Sequence, residues 1–270
     1  MKKRRIIPVL LLRNGLLVQS KGFSRYRNLG NPVTAVKRLS EWGSDELIYL
    51  DISRDDRFDA QRTDLAHTHR QTFLEIIADV ASVTFMPMTV GGRIRTLDDM
   101  SRRLALGADK ICINTAASEH PELISEAARE FGSQCVVVSI DVKEGSAGPE
   151  VFVGGGRIAT GRDPVAWSKE VQERGGGEIL LNSIDRDGRQ DGYDLSLVGA
   201  VAGAVSIPVI ACGGVGEWQH FADALSTTSA DAVAAANIFH YSDQSVHLAR
   251  KFLHERGLNV RPPRLLTLAS

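Results

Sequence analysis

Eight short runs rich in apolar and β-branched residues recur along this chain, each followed by a longer stretch with helical periodicity. The runs are 5–12, 46–52, 85–90, 109–114, 135–141, 178–184, 207–212 and 231–236. The helical patterns cover 33–42, 63–80, 97–106, 121–131, 163–174, 194–205, 217–226 and 245–256. Strands that are nearly continuous in apolar residues are buried on both faces, which predicts a parallel sheet covered by its own crossover helices. Eight such units in 270 residues fit a closed (β/α)8 TIM barrel, and a doubly wound open sheet is the competing arrangement. The pattern predicts a single domain over 1–262 and a loosely held tail over 263–270.

An internal repeat favours closure. Thr89-Val-Gly-Gly-Arg-Ile94 and Gly107-Ala-Asp-Lys-Ile-Cys-Ile-Asn114 are echoed by Ala211-Cys-Gly-Gly-Val-Gly216 and Ser229-Ala-Asp-Ala-Val-Ala-Ala-Ala-Asn237, about 122 residues later in both cases. Asp51, ending the second run, answers Asp185, ending the sixth. These matches indicate two half-barrel repeats.

Composition narrows the function. A formal net charge of -1 gives no electrostatic footprint for nucleic acid or a membrane surface. No apolar run approaches the roughly 20 residues needed to cross a bilayer. Cys112, Cys135 and Cys212 lack Cys-x-x-Cys spacing and lie in apolar runs, as reduced core thiols of a cytoplasmic protein do. The seven histidines show no ligand spacing, and no nucleotide-binding fingerprint occurs in its required context, so no metal and no cofactor are expected.

Three segments interrupt the rhythm, and all follow strands, so a barrel places them at its C-terminal rim, where active sites are built. Residues 13–31 read as a long loop, 53–62 as a charged loop, and 142–161 as a small hairpin. The two Gly-Gly turns are the clearest candidate sites. A glycine pair at a strand end lets backbone N–H groups approach an anion, and a helix N-terminus behind it favours negative charge. Asn114, Thr115, Ala236 and Asn237, at the ends of the following strands, can add donors. Two such sites suit an elongated ligand with a phosphate at each end; a plain tight turn is the bland alternative. Asp51, Asp141 and Asp185 end strands and are expected to point to the mouth. Arg5, Glu46, Lys110 and Glu178 lie at strand starts, at the opposite end. Spacing alone favours unrelated surface charges there.

The strings Gly107-Ala-Asp-Lys110, Phe131-Gly-Ser-Gln-Cys-Val-Val-Val138, Gly177-Glu-Ile-Leu-Leu181, Ser183-Ile-Asp-Arg-Asp-Gly188 and Asp191-Gly-Tyr-Asp194 resemble the cyclase subunit of imidazole glycerol phosphate synthase (HisF). The likeness runs from about residue 4 to 261. It implies a barrel that receives ammonia from a HisH-like glutaminase docked at its N-terminal face, and that uses the ammonia at its rim on a bis-phosphorylated substrate. By this resemblance Arg5, Glu46, Lys110 and Glu178 form an ammonia gate. Gly92, Asn114 and Thr115 hold one phosphate, and Asp185, Gly214, Ala236 and Asn237 the other.

The departures fall on the chemistry. The family uses two aspartates as general acid and base; Asp141 matches the second, while Leu11 stands at the first. Such groups typically contribute 10² to 10⁴ in rate. Gln19 occupies the position of a substrate-binding lysine, with Lys21 two residues on, and Arg93 replaces the third glycine of a Gly-Gly-Gly turn. The loop after the second strand is longer than in the family. This combination, together with Leu10-Leu-Leu-Arg-Asn-Gly15, resembles the HisF-like paralogues of surface-polysaccharide (O-antigen) biosynthesis. There the barrel conducts ammonia to a separate N-acetyl sugar amidotransferase at the C-terminal rim. The competing expectation is an active cyclase (lyase) of histidine biosynthesis; other phosphosugar barrels, including a single-chain isomerase, are a third.

Overall fold

The computed structural model describes residues 3–53, 70–146, 148–240 and 245–263. Among the described residues, twelve strands run in chain order as β1 (Arg5–Arg13), β2 (Leu16–Lys21), β3 (Arg25–Gly30), β4 (Leu47–Asp51), β5 (Met88–Gly91), β6 (Lys110–Ile113), β7 (Val136–Gly145), β8 (Gly148–Val153), β9 (Ile158–Ala159), β10 (Glu178–Ser183), β11 (Val209–Cys212) and β12 (Ala232–Ala235). The helices are α1 (Pro32–Glu41), α2 (Phe73–Ala81), α3 (Leu97–Ala105), α4 (Thr115–Glu119), α5 (Glu122–Phe131), α6 (Pro164–Glu173), α7 (Leu195–Ala204), α8 (Trp218–Thr227) and α9 (Val246–Glu255).

Eight strands pair in parallel in the order β10, β11, β12, β1, β4, β5, β6, β7, and β10 pairs back onto β7 from Glu178↔Val137 to Ser183↔Val142. The sheet closes on itself, and the fold is the expected (β/α)8 barrel. Closure removes both sheet edges. The open doubly wound alternative is excluded by the β10–β7 ladder.

Strand alternation divides the core in two. Ile6, Leu10, Leu12, Leu47 and Tyr49 belong to the large cluster between barrel and helices. Ile7, Val9, Ile48, Cys112, Val137, Leu180, Ile210, Ala232 and Ala234 form a second cluster inside the barrel, with Leu11, Leu50, Cys212 and Ala236 against it. Each side chain fully buried this way contributes roughly 1.5–3 kcal/mol. Helix starts follow the sequence. Thr72 and Thr96 close capping boxes with Glu75 and Asp99, while Asn31 and Asp163 cap helices that begin with proline.

The structure differs from the sequence reading in several places. Residues 13–31 are not a loop: Asn14 and Gly15, both at positive φ (51° and 76°), form a two-residue turn that pairs β2 against β1, and β3 pairs against β2. Asn-Gly with both residues left-handed is the tight hairpin turn that matches strand twist. The helix expected over 63–80 is seen as α2; residues 63–69 and most of the charged loop 53–62 lie outside the described residues, as does the tail from 264. The hairpin over 142–161 is present, as β7 extended to Gly145 and paired with β8, which pairs with β9. No helix among the described residues is long and apolar enough to cross a membrane.

Candidate functional site

Two features occupy opposite ends of the barrel. At the N-terminal end, Arg5 opens β1, Glu46 precedes β4, Lys110 opens β6 and Glu178 opens β10. Arg5 Nη1 donates to Glu46 Oε1 at 2.7 Å and Arg5 Nη2 donates to Glu178 Oε1. Lys110 Nζ donates to Glu46 Oε2 at 3.1 Å and to Glu178 Oε2 at 3.0 Å. Each cation therefore bridges both anions, and the four side chains make a closed ring. Their exposures are 20% for both cations, 11% for Glu46 and 6% for Glu178. Burial works against the Arg5 cation, but Glu178 and then Glu46 outweigh it and hold its pKa above the ordinary value. Charges so buried persist only when paired. Spacing alone did not suggest this ring.

Above the ring the interior is lined mainly by apolar residues, with the buried Thr89 of β5 facing inward between Ile48 and Lys110. Ser139 and Asp141 share the inward parity of Val137, and Asn182 that of Leu180. Asp141 Oδ1 accepts from Ser139 Oγ at 3.1 Å, Oδ2 accepts from Asn114 Nδ2 at 3.0 Å, and Asn182 is a further side-chain partner. Burial pushes the Asp141 pKa up to about 7, against the pull of the Ser139, Asn182 and Asn114 hydrogen bonds. Leu11 holds the inward position on β1, beside Leu50 on β4 and Val18 on β2. A carboxyl near neutrality can give or take a proton, but a methyl-tipped side chain can do neither. Across the mouth from Asp141, the β1 position thus offers no group for two-sided acid–base chemistry.

The phosphate candidates are distributed around this mouth. Gly92 and Gly214 are both left-handed, at φ 102° and 100°. A Cβ at Gly92 would lie 2.1 Å from the Asp51 carbonyl oxygen, and one at Gly214 would lie 2.1 Å from that of Gly192. Each turn is therefore pressed against backbone in a way only glycine permits. Thr115 Oγ1 donates to Asn114 Oδ1 (3.3 Å) and accepts from Gly154 N (3.1 Å), so Asn114 and Thr115 link the second hairpin to Asp141. Asp185 Oδ2 accepts from Glu144 N at 2.8 Å. Ala236 packs against the inner cluster, and Asn237 donates through Nδ2 to the Ser20 carbonyl at 2.8 Å.

Asp51 is not where the sequence reading put it. It shares the parity of Leu47 and Tyr49, facing the helices, is 5% exposed, and accepts from Ser53 N at 2.9 Å. Burial raises its pKa, opposed by Ser53 and by the charges of Arg93 and Arg103. A further rim carboxylate, half-buried, is Asp187, which the sequence reading did not single out. Its Oδ2 accepts from Ser20 Oγ at 2.8 Å and from Phe23 N at 3.3 Å, and its carbonyl accepts from Gly22 N at 3.1 Å. These bonds hold the β2–β3 ribbon down over the end of β10. Asn182 and Ser139 were also missed; both stand two residues along a strand from an inward apolar residue, which is the signal that finds them.

Residues 5–245 match the family described as "Histidine biosynthesis protein". The chain is 46% identical over 260 residues to the "Imidazole glycerol phosphate synthase subunit HisF" of Anoxybacillus flavithermus, an alignment covering 96% of this chain and 99% of that relative. With the closed parallel barrel, this places the chain in the histidine biosynthesis protein family, as a homologue of HisF.

Proposed function

We propose that this barrel is an ammonia-conducting subunit of a glutamine amidotransferase assembly. It accepts ammonia from a HisH-like glutaminase at the N-terminal face and passes it through the interior to an N-acetyl sugar amidotransferase at the C-terminal rim. The observation that carries this reading is the pairing of Leu11 with a retained Asp141: the mouth has lost half of its acid–base machinery, while the four-charge ring at the other end is complete. In this reading the ring is a gate, opened when the docked glutaminase draws one side chain aside. The largely apolar interior suits neutral ammonia and disfavours the ammonium ion, whose burial without a partner is costly.

The purified barrel, given ammonium and the bis-phosphorylated substrate of the cyclase reaction, is expected to yield no aminoimidazole ribotide; turnover by the unmodified protein overturns the reading. With glutaminase and sugar amidotransferase added, Glu46→Gln or Lys110→Met should lower glutamine-dependent amidation at least tenfold and leave amidation from free ammonium unchanged.

Two observations favour a second reading, an active cyclase (lyase) of histidine biosynthesis. The 46% identity to a HisF subunit extends over nearly both chains, and the raised Asp141 carboxyl is a competent acid or base. The same turnover assay separates the two.

A further inference from the structure

The β2–β3 ribbon places three cations on one outward face. Its register pairs Gln19 with Arg27, Ser20 with Tyr26 and Lys21 with Arg25. Residues opposite one another share a face, and successive residues alternate. Ser20 is 2% exposed and tied to Asp187 and Asn237 beneath. Lys21, Arg25 and Arg27 therefore project from the other face, and all three are exposed.

Nearby, Arg186 pairs with Asp191 at 3.2 Å, whereas Lys21, Arg25 and Arg27 have no ion pair among the described residues. Like charges directly opposite on two strands repel, so the Lys21–Arg25 pair is unfavourable within the ribbon itself. The cluster also extends beyond it. Gly188 packs against Lys21, and Gly156 against Phe23 at the ribbon tip; the exposed Arg189 and Arg157 are their chain neighbours. Three ribbon cations, with Arg157 and Arg189 on the adjoining rim segments, thus stand out on a chain whose formal net charge is -1; Arg157 Nε donates to the Gly154 carbonyl at 2.7 Å. Among the described residues, the nearest acids are engaged elsewhere: Asp187 is turned inward to Ser20 and Phe23, and Asp185 accepts from Glu144 N.

We propose that this outward ribbon face is a docking surface for an acidic protein partner at the C-terminal rim. The proposal rests on the conduit reading, in which that partner is the sugar amidotransferase that consumes the ammonia. Arg25 and Arg27 stand about 7 Å apart along β3, and Arg157 and Arg189 follow the glycines that adjoin the ribbon. This spread is too broad for one phosphate group and matches several carboxylates on a facing surface. β3 pairs only with β2 among the described residues, so its outer edge also offers backbone groups to a partner strand. A second copy of this chain is disfavoured, because it would set two such cation clusters against each other.

The test uses the complete barrel–glutaminase complex and the sugar amidotransferase of the same organism, with affinity measured by titration calorimetry at 50 and 300 mM NaCl. The triple variant Lys21→Glu/Arg25→Glu/Arg27→Glu should bind at least tenfold more weakly and lose most of the salt dependence. Its thermal midpoint and its affinity for the glutaminase should be unchanged. Lys21→Arg/Arg25→Lys/Arg27→Lys should retain binding. An intact amidotransferase complex untouched by charge reversal overturns this surface alone. So does loss of inorganic pyrophosphate binding in the variant while protein docking survives, which would make the face a phosphate site. Absence of any complex with the unmodified barrel overturns the conduit reading, and this surface with it.

Discussion

Replacing Glu178 by Gln removes the anion that Arg5 and Lys110 both share with Glu46. Glu178 is the least exposed member of the ring at 6%, and Lys110 Nζ lies 3.0 Å from its Oε2. At an effective dielectric of about 20, a unit charge pair at that distance attracts by ~5 kcal/mol. Against this stands the desolvation that Gln no longer requires. Breaking a buried pair typically costs about 3–5 kcal/mol, and the lower end applies here because water reaches the two cations. A loss of ~3 kcal/mol, divided by a urea slope of about 3 kcal/mol/M suited to a barrel of this size, lowers the unfolding midpoint by about 1 M. Lys110→Met combined with Glu178→Gln leaves a neutral Arg5–Glu46 pair at 2.7 Å. The double variant should therefore be more stable, by at least about 1 kcal/mol, than the two single losses added together. Midpoints from urea titrations of the four proteins measure this directly. Additivity to within about 0.3 kcal/mol, or a midpoint for Glu178→Gln that hardly moves, would refute the ring as a coupled unit.

Two further outcomes follow from the mouth and the turns. Because the Asp141 pKa in the folded protein is about 7, above its ordinary 3.8, the folded state between those pH values holds a proton that the unfolded chain has released. Its contribution is fully present in acid and is lost as pH climbs towards about 7, with a limiting slope of about 1.4 kcal/mol per pH unit. Asp141→Asn should accordingly gain stability relative to the parent from pH 4 to 7 and show a constant difference above that; parallel urea midpoints across this range would contradict the assignment. Gly92→Ala combines a left-handed φ with a Cβ 2.1 Å from the Asp51 carbonyl oxygen, and should lower the thermal midpoint by about 5 °C or more. A midpoint within 1 °C of the parent would show that the turn can relax.

Much of the barrel was legible because buried parallel strands leave continuous apolar runs, and each run from Ile6 onward met that expectation. The turn at Asn14–Gly15 was present in the sequence as a strong hairpin signal. It was overlooked because Arg25 and Arg27 on the returning strand make β3 look like loop; the ribbon is exposed on that side, so no apolar alternation marks it. Asp51 misled for the opposite reason. A carboxylate at a strand end suggests the mouth, but counting from Leu47 and Tyr49 puts it on the helix side, and parity decides. The charged ring was not legible from composition or spacing, since Arg5, Glu46, Lys110 and Glu178 are ordinary surface charges until strand register brings them together. Resemblance singled them out, and geometry supplies the physical reason they belong to one unit.

The ring also bears on how the molecule assembles and how long it lasts. Its contacts join positions 41, 64, 68 and 173 residues apart, and the longest of them ties the opening strand to one deep in the second half. The Arg5–Glu46 and Glu46–Lys110 bonds lie within the β1–β4–β5–β6 run, but the two bonds to Glu178 wait until β10 has joined the barrel, because loop closure over such separations comes before any reward from contact. Interactions that appear only after the rate-limiting step leave the folding rate almost untouched and act instead on the rate of opening. The bonds to Glu178 thereby bear on the lifetime of the closed barrel: weakening them should hasten its unravelling while a freshly diluted chain refolds at nearly its former pace.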